Sequence, residues 1–115
     1  MTNISATPEM AITALADPTR RAIMNALREG PLAVSALAND LPVTRPAVSQ
    51  HLRVLSDAGL LTVTPHGTRR LYSIAPDGIA AIRSYLDSLW TDALDAFAVH
   101  ATALAGDDDD TQSDP

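Results

Sequence analysis

The sequence predicts a mainly α-helical domain that carries one β-hairpin, and three observations support that class. Aromatic residues make up only 3% of the 115 residues while alanine is abundant, a composition suited to closely packed helices. Apolar side chains recur at spacings of three and four in several segments bounded by proline, aspartate or glycine. Strand-like sequence is confined to two short runs on either side of one glycine-containing turn. A chain of this length is expected to build one core.

The first helix is expected over residues 8–16, PEMAITALA, with Pro8 near its start and Met10, Ile12 and Leu15 as its apolar positions. Asp17-Pro18 ends it and starts the next, because an aspartate side chain accepts from the free N–H groups of a first turn and proline leaves none unpaired there. That second helix runs through TRRAIMNALRE, buries Ile23, Met24 and Leu27, and stops at Gly30-Pro31. Ser35 is the expected cap of a short third helix, SALANDL, which ends before Pro42. Pro42-Val43-Thr44 then leads tightly into a fourth helix, capped by Thr44, with Pro46 in its first turn and Gly59 as its stop.

LLTVTP and RRLYSI are the two strand-like runs, joined by a tip at His66-Gly67-Thr68 where the glycine admits close backbone approach. A last helix is expected from about Ile79 to Leu104, with Ile79, Ile82, Leu86, Leu89, Ala93 and Ala96 on one stripe and Trp90, Leu94 and Phe97 beside it. A helix of about 25 residues spans roughly 37 Å, more than so small a domain covers with its own core, so part of it is expected to pack on a second chain. Residues 105–115 are acidic and aperiodic and are expected to form a disordered tail, which leaves 8–104 as the folded domain.

That order of elements is a winged helix-turn-helix with a β-hairpin wing and a long C-terminal dimerisation helix. Helical arithmetic divides the fourth helix, TRPAVSQHLRVL, into Val48, Leu52 and Leu55 facing inward and Arg45, Ser49, Gln50 and Arg53 facing outward. The outward set suits double-stranded DNA: glutamine pairs with adenine N6/N7, arginine with guanine O6/N7, and serine with bases or phosphates. Arg69 and Arg70 on the hairpin are the expected contacts to phosphate or to the minor groove. Thr44 and His51 complete the expected DNA-binding set; His51 also neighbours the buried stripe, where a structural hydrogen bond would serve it equally well. The plain alternatives are a solvated helix face, solubility charges on an edge strand, and Arg20 or Arg21 merely paired with a carboxylate.

The formal net charge of −6 would argue against a polyanionic partner if it were spread evenly. It is not: residues 17–72 hold seven arginines against four acids, whereas residues 73–115 hold one arginine against nine. The absence of cysteine excludes disulfides, thiolate metal sites and cysteine nucleophiles. No Ser-His-Asp, paired-carboxylate or phosphate-loop spacing is present, so an enzyme is not expected, and neither is a cofactor. Without a signal peptide or a long apolar run, a cytoplasmic protein with no membrane partner is expected.

ADPTRRAIMNALREGPLAVSALA, TRPAVSQHLRVLSDAGLL and GTRRLYSI together resemble the ArsR/SmtB family of bacterial winged-helix transcriptional repressors, over about residues 10 to 104. The resemblance implies a homodimer formed by the first and last helices, binding a pseudo-palindromic operator that an effector of unspecified chemistry makes it release. The expected dimer residues are Met10, Ile12, Leu15, Ile82, Leu86, Leu89, Trp90, Ala93 and Phe97. Family members that sense soft metals carry two cysteines at the third helix, where this chain has Ala33 and Ser35. The zinc-sensing spacings of Asp and His on the last helix are also missing around Asp87, Asp92, Asp95 and His100, so the chain looks most similar to the metal-independent branch and no metal site is expected. A second class of function stays open, a protein-interaction module on the same scaffold without specific DNA readout.

Overall fold

A computed structural model describes residues 6–113 of the chain, with side chains through residue 105. Its helices are α1 (Pro8–Leu15), α2 (Pro18–Ala26, continued by one 3-10 turn, Leu27–Glu29), α3 (Val34–Asp40) and α4 (Arg45–Asp57). Strands β1 (Leu61–His66) and β2 (Arg69–Ile74) form an antiparallel hairpin, and α5 (Pro76–Ser113) closes the chain. Residues up to Arg83 make one compact unit; α5 from Ser84 onward is a second. Among the described residues no helix is long and apolar enough to cross a membrane.

The helix starts share one local chemistry. Thr7, Asp17 and Thr44 each accept from a backbone N–H three residues on, those of Met10 (3.1 Å), Arg20 (2.9 Å) and Ala47 (3.3 Å), and each is followed within two residues by proline. The third helix departs from the expectation that Ser35 caps it. Ala33 occupies the cap position with no side-chain bond, and Ser35 lies inside the first turn. The cause is tertiary: Leu32 exchanges two backbone hydrogen bonds with Tyr72 of β2, at 3.0 and 2.8 Å, which holds the chain extended until Ala33 and lets the helix begin at Val34.

Ile23, Leu37, Val48, Leu52, Leu55 and Leu60 are fully buried and form the centre of the core. Each such side chain contributes roughly 1.5–3 kcal/mol on transfer from water. The first helix meets this core through Ala11 and Ala14, not through Met10 and Ile12, which stay exposed; small side chains let α1 lie close to its neighbours.

Helix α4 ends in a Schellman motif, with the Gly59 N–H bonded to Ser56 O and the Leu60 N–H to Leu55 O, both at 3.0 Å, and Gly59 at φ 79. The hairpin is one residue tighter than expected: His66 belongs to β1 and pairs with Arg69, so Gly67-Thr68 alone make the turn. Leu60 precedes the strand and accepts from the Ala75 N–H at 2.9 Å, which ties the end of the wing to its beginning.

Helix α5 is longer than expected at both ends. Pro76 fills its first position, where no N–H is needed, and at the far end Gly106 is a lone glycine with no proline before Pro115. A single glycine weakens a helix by about 1 kcal/mol without ending it. The described backbone is helical through Ser113; of the expected tail, 105–115, the side chains from residue 106 onward and residues 114–115 lie outside the described residues.

The start of α5 lies against the turn after α4 so closely that a Cβ on Gly78 would overlap the Gly59 carbonyl, which is backbone and cannot swing aside. Gly78→Ala is therefore expected to lower unfolding stability by roughly 1–3 kcal/mol, as measured by urea denaturation. An unchanged midpoint would show that this approach is not tight.

Candidate nucleic-acid interface

The burial of Val48, Leu52 and Leu55 turns the opposite side of α4 to solvent, and there Arg45, Ser49, Gln50 and Arg53 are all exposed. Thr44, at the cap, is exposed too. The 13 residues of α4 make a rod of roughly 20 Å, of a width that a DNA major groove accepts. Only Leu41–Thr44 separate it from α3, so the two helices form a tight helix-turn-helix pair.

The remaining member of that stretch, His51, is half-buried and faces the protein. Its Nδ1 lies 3.4 Å from Arg20 Nη1 and 4.0 Å from Asp17 Oδ2. Both approaches hold the imidazole against the start of α2. Arg20 is a hub, since its Nε also donates to the Ala14 carbonyl at 2.6 Å and its backbone N–H donates to Asp17. Arg21 does similar work beside it, its Nη1 donating to the Leu15 and Ala16 carbonyls at 2.9 Å. Both arginines thus satisfy the free carbonyls at the C-terminus of α1, where their charge also complements the helix dipole. The Arg20 N–H holds the Asp17 carboxyl below its ordinary value of 3.8, against an upward push from desolvation; the Arg20 guanidinium and the nearby His51 add smaller lowering effects.

Arg69 and Arg70 are exposed on β2 at the end of the wing. Two clefts flank Arg70. One is lined by Arg53, Ser56, Val63, Arg70 and Tyr72, and the other includes Ser35, Arg45, Thr68, Arg69 and Arg70. The wing therefore comes close to both ends of the exposed α4 face. Sequence reasoning missed Ser35, Ser56, Thr68 and Tyr72, because their proximity follows from the Leu32–Tyr72 bridge, which no periodicity announces. Among the described residues Arg45, Arg53, Arg69 and Arg70 have no carboxylate partner.

Of the expected dimer residues, Leu15 and Ile82 pack against the core of the first unit, which is what their apolar spacing reflects. Met10 and Ile12 are exposed on α1, as are Leu86, Leu89, Trp90, Ala93 and Phe97 on α5, with Trp90 65% and Phe97 68% exposed. Among the described residues no group of three or more His, Asp or Glu side chains is arranged to hold a metal ion.

Residues 17–63 match the family model for bacterial regulatory proteins of the arsR family. The chain is similar to the HTH-type transcriptional regulator Rv2034 of Mycobacterium tuberculosis, 58% identical over 91 residues that cover 79% of this chain and 85% of that one. It is 42% identical over 71 residues to the HTH-type transcriptional repressor SmtB of the same species, covering 62% of this chain and 53% of the relative. Among solved structures it is similar to the homodimeric winged helix-turn-helix DNA-binding domain of Mb0332 from Mycobacterium bovis. That likeness has a TM-score of 0.59 at 27% identity and covers 73% of this chain and 78% of the other.

Two measurements check this local architecture. Thr44→Ala removes the cap of α4 and is expected to cost about 1 kcal/mol; a loss under a few tenths in urea denaturation would contradict the cap. Asp17 ionises more readily folded than unfolded, so its contribution to stability is complete above pH 3.8 and is lost as the pH falls through its lower folded value. Asp17→Asn should flatten the fall in stability over that acid window, and an unaltered pH profile would remove the assigned role.

Proposed function

Because the chain belongs to the ArsR family of bacterial regulatory proteins, a family of winged helix-turn-helix DNA-binding transcription regulators, we propose that it binds a pseudo-palindromic operator as a homodimer and represses the promoter it covers. The observation that carries this reading is the outward face of α4, polar, basic and free of carboxylate partners among the described residues, set beside an arginine-bearing wing. Ser49 and Gln50 are assigned to base edges. Arg53, Arg69 and Arg70 are assigned to the phosphate backbone, which fixes register without carrying sequence information. His51 acts indirectly, holding α4 to the start of α2 through Arg20.

Dimerisation is supported by the exposed Leu86, Leu89, Trp90 and Phe97, apolar groups whose burial against a second copy would remove a large area from water, and by the homodimeric state of the Mb0332 domain. Repression is supported by the name of the relative SmtB. The protein acts by binding, in the cytoplasm where DNA is accessible, and an effector that weakens DNA affinity would complete the switch.

Selection of bound DNA from a random pool should return a sequence with two related half-sites. On that sequence Gln50→Ala should relax the preference at one base pair per half-site by roughly 1–3 kcal/mol, read as an affinity ratio. Arg70→Ala should weaken selected and random DNA by the same factor. Equal effects of the two variants on both DNAs would contradict the division of roles, and a monomeric mass by light scattering at micromolar concentration would sink the dimer.

A further inference from the structure

We propose that Arg45, Arg69 and Arg70, with Ser35 and Thr68, form one clamp for a single phosphate group of the DNA backbone, so that Arg45 grips the backbone instead of reading a base. The proposal rests on the DNA-binding reading above. It arises from one cleft whose walls come from three separate stretches: the first turn of α3, the first residue of α4 and the turn end of the hairpin.

Arg45, Arg69 and Arg70 all line one cleft, and no carboxylate lines it or forms an ion pair with them among the described residues. The group that such an excess of positive charge attracts is an anion. A phosphate oxyanion suits the planar forks of arginine, which pair with two oxygens at a time, and the Ser35 and Thr68 hydroxyls supply further donors. Buried Ala33 also lines the cleft, and its small side chain leaves room for the anion.

Helical direction separates Arg45 from the residues assigned to bases. Side chains on an α-helix lean toward its N-terminus, so Arg45, in the first position of α4, leans off the end of the helix toward α3 and the wing. Ser49 and Gln50 lie more than a turn further along, on the body of the rod. The Leu32–Tyr72 bridge fixes the wing to the body two residues from Arg70, so the backbone on both sides of the cleft is in place before DNA arrives.

The test replaces each phosphate of the selected operator in turn with an uncharged methylphosphonate. For the unaltered protein, neutralising one phosphate per half-site should weaken binding several-fold, and in Arg45→Ala that one position should become indifferent. Arg45→Ala should keep the preference for operator over random DNA and reduce the slope of log affinity against log salt by about 2 per dimer. If Arg45→Ala instead stays sensitive at every phosphate and loses its preference for operator, Arg45 reads a base and the clamp is wrong.

A second arm needs no DNA. Titration with inorganic phosphate at constant ionic strength should shift the backbone amide resonances of Ser35, Thr68 and Arg69 saturably, and Arg45→Ala or Ser35→Ala should weaken the effect. Absence of any saturable shift overturns the clamp. A protein that binds no DNA but shows the shift would overturn the functional reading and keep the oxyanion site.

Discussion

Burial of Val48, Leu52 and Leu55 is the constraint on which the rest of the molecule depends. The three side chains are completely enclosed, packed with Ile23, Leu37 and Leu60, and they fix the rotation of α4 about its own axis. Turning the helix by one residue, about 100°, would bring Ser49 or Arg53 into the core, where an unpaired polar group costs roughly 1–3 kcal/mol or more. The polar face is therefore presented outward by the core, and its direction is as well determined as the packing. The Thr44 cap and the Gly59 Schellman motif then set where the rod begins and ends.

Six of the eight arginines fall into two groups by what they touch. Arg20 and Arg21 are spent on the carbonyls that end α1, and Arg20 also reaches His51 on the inner side of α4. These bonds join the first helix, the second and α4 at one point, so Arg20 and Arg21 serve the structure. Arg45, Arg53, Arg69 and Arg70 meet no carboxylate among the described residues and line the two clefts on either side of the wing. A chain with a formal charge of −6 can in this way hold a locally basic stretch, because residues 17–72 carry seven arginines against four acids.

Much of this was legible in the sequence because it is local. Caps at Asp17 and Thr44, the stop at Gly59 and the two faces of α4 follow from short-range rules of spacing and hydrogen bonding. What the sequence left open or missed was settled mainly by tertiary contacts. Ser35 fails as a cap because Leu32 is held by β2; His51, for which both a DNA contact and a structural bond were open, meets Arg20; and Leu15 and Ile82 pack on the core of the first unit. The cleft that gathers Ser35, Arg45 and Arg70 joins residues far apart along the chain, and only the folded molecule brings them together.

The central claim is that α4 enters the major groove of DNA, once from each protomer of a dimer. Protection of guanine N7 from methylation tests it most directly, because that atom is exposed only in the major groove. The account predicts two protected patches on the selected operator, centred about 10 base pairs or a multiple of that apart, on the same side of the duplex. Unprotected guanine N7 across the bound site, with protection only at adenine N3 in the minor groove, would contradict it.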